Sequence, residues 1–188
     1  KKYFVLFCGR YSMAVTDSSG LRVGRSNLGY VVFVFGRGTM LESPALHDFA
    51  MKCVDSENCT LAIDLMECEY LDSTFLGCLV DLHRCFRRDK KARYQVIANA
   101  ACSQRLLAAT QLQKFLPVSD RPQQTIADCV ELLSSKLERK EFGHHVMECH
   151  RRLAELGGPN QVVFERIAKQ LAGELEDLQQ DPAFHGRW

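Results

Sequence analysis

The chain has almost no net charge: 24 Lys and Arg stand against 23 Asp and Glu, a formal +1 over 188 residues. Without a net field, nothing draws the whole molecule toward nucleic acid or an anionic membrane, and neither is expected as a partner. Long hydrophobic runs are missing too. No stretch approaches the ~20 apolar residues of a membrane-spanning helix. Lys1-Lys2 followed by Tyr3–Cys8 imitates the start of a secretory leader but has too few apolar residues for one, and Met13 reads as a candidate translation start. Residues 1–12 then read as extra sequence or an added edge strand. The C-x-x-C spacing is absent although there are nine cysteines, an odd number. Most of them lie in or beside apolar runs, where a free thiol behaves as a small buried hydrophobe, so a cytoplasmic location is expected. No Gly-rich phosphate loop follows a strand, Gly36-Arg37-Gly38 being a lone glycine pair, and no cofactor is expected.

What is present is a 46% hydrophobic chain, enough for a real core. Tyr30–Phe35 is β-branched and aromatic throughout and predicts a core strand, as do Thr60–Met66 and Tyr94–Ala98. Between them the period changes. Ser43-Pro44 offers an N-cap and a first-turn proline for a helix with Leu46, Phe49, Ala50 and Cys53 on one face. Phe75, Leu76, Leu79, Leu82 and Phe86 recur at helical steps, and the cations Arg84, Arg87, Arg88, Lys90, Lys91 and Arg93 suit the negative end of that helix. Ser103–Phe115 predicts another helix, Leu116–Ser119 a very short edge strand, and Thr125–Ser135 a closing helix carrying Ile126, Ala127, Val130 and Leu133. Strands joined by crossover helices are mostly parallel, so the expected class is α/β with a small, mostly parallel or mixed sheet.

Beyond Lys136 two amphipathic helices follow, one through Phe142, Val146, Cys149, Leu153 and Leu156, the other through Phe164, Ile167, Leu171, Leu175 and Leu178. Gly157-Gly158-Pro159-Asn160 separates them and predicts an αα-hairpin. Its stripes either close on each other and on the body or serve a homodimer seam. His145 and Cys149 form an i, i+4 pair, yet further ligands are not evident, and this stretch with His144 and His150 reads as a solvated helix rather than a metal site. No converging catalytic constellation is apparent, so catalysis is not expected.

The most informative stretch is Asp72-Ser73-Thr74, between the strand of Thr60–Met66 and the helix of Phe75–Phe86. Asp72 is the N-cap candidate, its carboxylate accepting from free N–H groups of the first turn. Ser73 and Thr74 then sit at the positive end of the helix dipole, where a phosphate is best tolerated. Functional loops of open α/β sheets lie at the carboxyl ends of the strands. Gly38 and Thr39 after the first strand and Asn99 after the third therefore share an edge with Asp72, Ser73 and Thr74.

Ala62-Ile63-Asp64-Leu65 through Tyr70-Leu71-Asp72-Ser73-Thr74-Phe75-Leu76-Gly77 resembles the central signature of the STAS domain, the fold of bacterial anti-sigma factor antagonists. Leu106-Leu107 through Thr110-Gln-Leu112-Gln-Lys-Phe115-Leu-Pro-Val118 is similar to the helix and short last strand that follow in that family, and the Ile126-Ala127 helix resembles its closing helix. The resemblance covers about residues 28–135. It leaves 1–27 as a lead, an extra strand or flexible, and 136–188 as a helical hairpin extension with a flexible tail.

The resemblance implies partner switching. Ser73 would be phosphorylated by a GHKL-type kinase that is also the anti-sigma factor, with Thr74 as a second candidate acceptor, and a phosphatase would restore the unmodified, binding-competent form. Asp72, Ser73, Thr74, Phe75, Leu76, Gly77, Gly38, Thr39 and Asn99 would line the partner surface. Phe75 departs from the family, which has glycine at that place; it packs inward or projects as a partner-binding hydrophobe. The competing reading is a non-switching STAS scaffold or accessory subunit of a transporter or stress-signalling complex.

Overall fold

The computed structural model describes residues 19–56, 59–88, 91–123, 125, 129–133 and 137–180. Their strands are β1 (Gly20–Ser26), β2 (Gly29–Gly38), β3 (Thr60–Asp64), β4 (Cys68–Leu71), β5 (Arg93–Ile97), β6 (Val118–Ser119) and β7 (Val130–Glu131). The α-helices are α1 (Ser43–Val54), α2 (Ser73–Arg88), α3 (Ala100–Leu106), α4 (Arg139–Ala154) and α5 (Gln161–Gln180). The strand order is β6-β5-β3-β2-β1-β7, with β4 beside the far end of β2. The pairs β2–β3, β3–β5, β5–β6 and β2–β4 are parallel, whereas β1–β2 and β1–β7 are antiparallel. The sheet is therefore mixed, in an α/β fold.

Alternation along the strands sorts the two sheet faces. Val32, Val34, Leu61, Ile63, Tyr94 and Val96 join Leu46, Phe75, Leu79, Leu82 and Phe86 of the helices in one buried core. Val31, Ala62 and Ile97 form a smaller cluster with Phe33, as their opposite parity in the strands requires. The eight cysteines among the described residues are free thiols, mostly buried. Among the described residues, no helix is long and apolar enough to cross a membrane.

Gly20–Ser26, in the stretch read as a lead, an extra strand or flexible, is a strand paired along its whole length with β2. Other expectations are corrected. Among the described residues of Thr125–Ser135, sheet contacts stand where a helix is expected. Thr125 bridges Ser26, Val130 pairs with Val23 and Glu131 with Arg22, and Leu132 N–H donates to the Leu21 carbonyl at 2.9 Å. An open edge on β1 has unpaired backbone groups to satisfy, and this segment satisfies them at the expense of its helical periodicity. Ile126 and Ala127 lie outside the described residues.

The helix of Ser103–Phe115 begins earlier, at Ala100, and stops at Leu106. Two 3-10 turns follow, separated by Gln111 in the left-handed region at φ 56°. Leu106, Leu107 and Leu112 are nevertheless buried. Ser43 is the first residue of α1 rather than its cap. Glu42 takes the cap position, and its carboxylate accepts from Thr39 N–H at 2.8 Å and Thr39 Oγ1 at 2.6 Å.

Candidate functional site

Asp72 ties the strand ends to the start of α2. Its Oδ1 accepts from Phe75 N–H at 2.8 Å, which is the N-cap bond of α2, and its Oδ2 accepts from Met40 N–H at 2.7 Å. The Asp72 N–H in turn donates to the Gly38 carbonyl at 3.1 Å, joining β4 to the end of β2. One carboxylate thus fixes the first turn of α2 against the loop between β2 and α1. Asn99 plays the same part at α3, where its side chain accepts from Cys102 N–H at 2.8 Å. Thr39, Asp72, Ser73 and Asn99 all follow carboxyl ends of parallel strands and keep some exposure. Met40 and Leu41, 43% and 59% exposed, add apolar surface beside Asp72.

The helix that Asp72 caps buries much of what the sequence assigns to a partner. Thr74 is 3% exposed, which removes its hydroxyl from the surface. Phe75 is fully buried and resolves its two readings as core. Its ring lies against Gly38, where an added Cβ would come within 3.1 Å of Phe75 Cδ2 and 2.6 Å of Leu71 Cδ2. The missing side chain at 38 makes room for the large one at 75. Leu76 is 6% exposed, and a Cβ on Gly77 would meet the Cys149 carbonyl oxygen at 2.2 Å.

That carbonyl belongs to α4, which packs along α2. Ser73 Oγ lies 2.9 Å from His150 Nε2, and His150 Nδ1 lies 2.8 Å from the Val146 carbonyl. A carbonyl only accepts, so Nδ1 carries the proton, Nε2 offers a lone pair, and the Ser73 hydroxyl donates to it. Nothing in the sequence pairs Ser73 with a residue so distant. His150 is 5% exposed and Cys149 3%, so the solvated-helix reading of this stretch fails on its inner side. Among the described residues no group of three or more His, Cys, Asp or Glu is placed to hold a metal ion.

A polar network continues from this contact. Arg152 Nε donates to Asp81 Oδ1 at 2.6 Å, His47 Nε2 lies 3.3 Å from Asp81 Oδ2, and Arg84 pairs with Glu155. His145 Nε2 sits 2.8 Å from the buried Ser43 hydroxyl and 3.7 Å from Cys149 Sγ. Burial, reinforced by His47, pushes the His145 ring down to about 4, against the weaker opposing pull of Asp48 and Asp81. In the unfolded chain the same ring protonates near its ordinary value of about 6.5. Between those values the unfolded state binds more protons, so stability falls as the pH drops from 6.5 toward 4. The loss is on the order of 1–2 kcal/mol once the partial exposure of the ring is allowed for. Urea midpoints of wild type and His145→Gln measured from pH 7 to 5 check this. The variant is expected to have the flatter profile, and equal slopes would refute the assignment.

No protein-family model matches the chain, and no curated protein matches it. Among solved structures it is similar to one described as an anti-sigma factor antagonist from Mycobacterium paratuberculosis, with 27% identity and a TM-score of 0.47. The match covers 58% of this chain and 92% of that one.

Proposed function

We propose that the chain is a phosphorylation-switched protein-interaction module, an anti-sigma factor antagonist that binds a GHKL-type Ser/Thr kinase anti-sigma factor while Ser73 is unmodified. One observation carries this reading. Ser73 opens α2 directly after a carboxylate-capped turn, at the carboxyl edge of the parallel strands, and it is a half-buried residue while Thr74 is buried. A phosphate on Ser73 would lie at the helix N-terminus, tolerated by the fold, yet would bring roughly −1.5 to −2 charges to a surface that has little. Such a group repels an interface without unfolding the domain that carries it. A phosphatase then returns the binding form.

Ser73→Asp is expected to weaken binding to the cognate partner at least tenfold, roughly 1.4 kcal/mol, with Ser73→Ala measured alongside. Calorimetric titration gives the affinities, and phosphosite mapping of protein from its native cell asks whether Ser73 is modified. Equal affinities of wild type and Ser73→Asp would end the switch reading.

A second reading draws on α4. Because α4 covers part of α2, a non-switching scaffold or accessory subunit of a transporter or stress-signalling complex would have no need of that face. An unmodified Ser73 in native protein, with a stable co-purifying assembly, would favour it.

A further inference from the structure

The face of α2 that starts at Ser73 is a helix-docking surface, and its occupant here is the chain's own α4. Ser73, Gly77, Asp81 and Arg84 form one stripe along α2. Each meets α4: Ser73 Oγ at His150 Nε2 (2.9 Å), Gly77 under the Cys149 carbonyl, Asp81 at Arg152 Nε (2.6 Å), and Arg84 at Glu155. The sheet side of α2 differs in kind, being built from Phe75, Leu79, Leu82 and Phe86. Separating the sheet side exposes hydrocarbon to water, whereas on the α4 side the buried Cys149 and Leu153 are interleaved with the polar pairs of Ser73, Asp81 and Arg84, which water can satisfy again. Contacts of this polar kind suit surfaces that come apart.

The hairpin also has ties of its own. Gly143 leaves space for Leu175, whose Cδ2 would lie 2.8 Å from a Cβ there, and the His150 ring lies 6.1 Å from that of Phe164. These contacts join α4 to α5 without help from α2, so the two helices can leave together.

We propose that the α4–α5 hairpin is an intramolecular competitor for the α2 face, and that a protein reading Ser73 docks a helix of its own there once the hairpin swings away. The fitting partner helix carries a hydrogen-bond acceptor toward Ser73, as His150 does, and brings backbone rather than side chain against Gly77, as Cys149 does. Only the identity of the partner rests on the switch reading above; the movement and the docking face stand apart from it.

The test uses the full chain. His150→Ala removes the acceptor for Ser73. Gly77→Ala places a methyl carbon where the Cys149 carbonyl lies, while alanine suits the interior of α2 better than glycine. Alkylation by iodoacetamide, resolved by site in a mass spectrometer, compares Cys149 on α4 with Cys68, which is fully buried in the core. Cys149 is expected to react at least tenfold faster in both variants, with Cys68 unchanged. A fluorescent peptide of residues 138–156, the α4 sequence, is then expected to bind the His150→Ala chain and to be refused by the Gly77→Ala chain.

Cys149 reacting in step with Cys68 in both variants would overturn the proposal, since α4 would then be a fixed layer of the fold. A released hairpin whose α2 face takes no peptide would overturn it as well. Should both hairpin results hold while Ser73 proves unmodified in cells, the competitor stands and the phosphorylation switch alone falls.

Discussion

Phe75→Ala is expected to lower the free energy of unfolding by about 3–5 kcal/mol, the range for deleting a large buried side chain that leaves a cavity. The ring is fully buried and lies between the first turn of α2 and Gly38 at the end of β2. Gly38 cannot fill the space, because it has no side chain to move. Leu71, which also approaches the Gly38 position, sits on β4 and is held by strand pairing, so collapse of the cavity is restricted. Phe75→Leu keeps much of the volume and is expected to cost less than about 1.5 kcal/mol. Urea unfolding with an unchanged denaturant slope gives both values. A loss under about 1 kcal/mol for Phe75→Ala would contradict a core role and revive the reading in which Phe75 projects toward a partner.

The same residue shows what the sequence could and could not reveal. Its place in a helix beginning after Asp72 follows from spacing and capping chemistry alone, and α2, β2, β3 and β5 are found within a few residues of where their patterns put them. Whether Phe75 faces in or out depended on what lies opposite, and that is Gly38, a residue with no hydrophobic signal. β4 escaped for a related reason: four residues with buried ends and exposed middles, Cys68–Leu71, carry too little pattern to register. Thr125–Ser135 misled because helical spacing was present but the bare edge of β1 decided the outcome.

The covering of α2 by α4 did leave a trace. From Thr74 to Leu82 the sequence reads Thr-Phe-Leu-Gly-Cys-Leu-Val-Asp-Leu, apolar on nearly every face, and a helix hydrophobic all round is one buried on both sides. Thr74 through Val80 are all buried. That run predicts a second layer over α2 without naming it. The partner of Ser73 stayed hidden because a hydrogen bond between a serine and a histidine 77 positions away leaves no periodicity behind.

Asp81 is the other position where a single change is expected to have a large effect. Its carboxylate lies between three helices, accepting from Arg152 of α4 at 2.6 Å and facing His47 of α1 at 3.3 Å, with side-chain exposures of 20% for Asp81 and 22% for Arg152. Burial pushes the carboxyl up, but the hydrogen bond from His47 and the Arg152 guanidinium together outweigh it and hold the group below its ordinary value. Asp81 is therefore ionised at neutral pH, and its stabilising contribution is lost only as the pH falls through that lowered value, below the window in which His145 acts.

Removing the carboxylate leaves a mostly buried guanidinium without its closest anion, so Asp81→Ala is expected to cost about 2–4 kcal/mol. Arg152 keeps Glu155 as a second partner at 3.3 Å, which places the cost toward the lower end. In a double-mutant cycle the Asp81→Ala and Arg152→Ala losses should exceed the loss of the double variant by about 1–2 kcal/mol, because the second change removes a group the first has already stranded. Additivity within about 0.5 kcal/mol would show that the pair contributes nothing beyond its separate packing. The cycle also bears on the hairpin. If α4 is held on α2 by this pair, Arg152→Ala speeds alkylation of Cys149 before the core yields, and stability and opening can be read from the same variant.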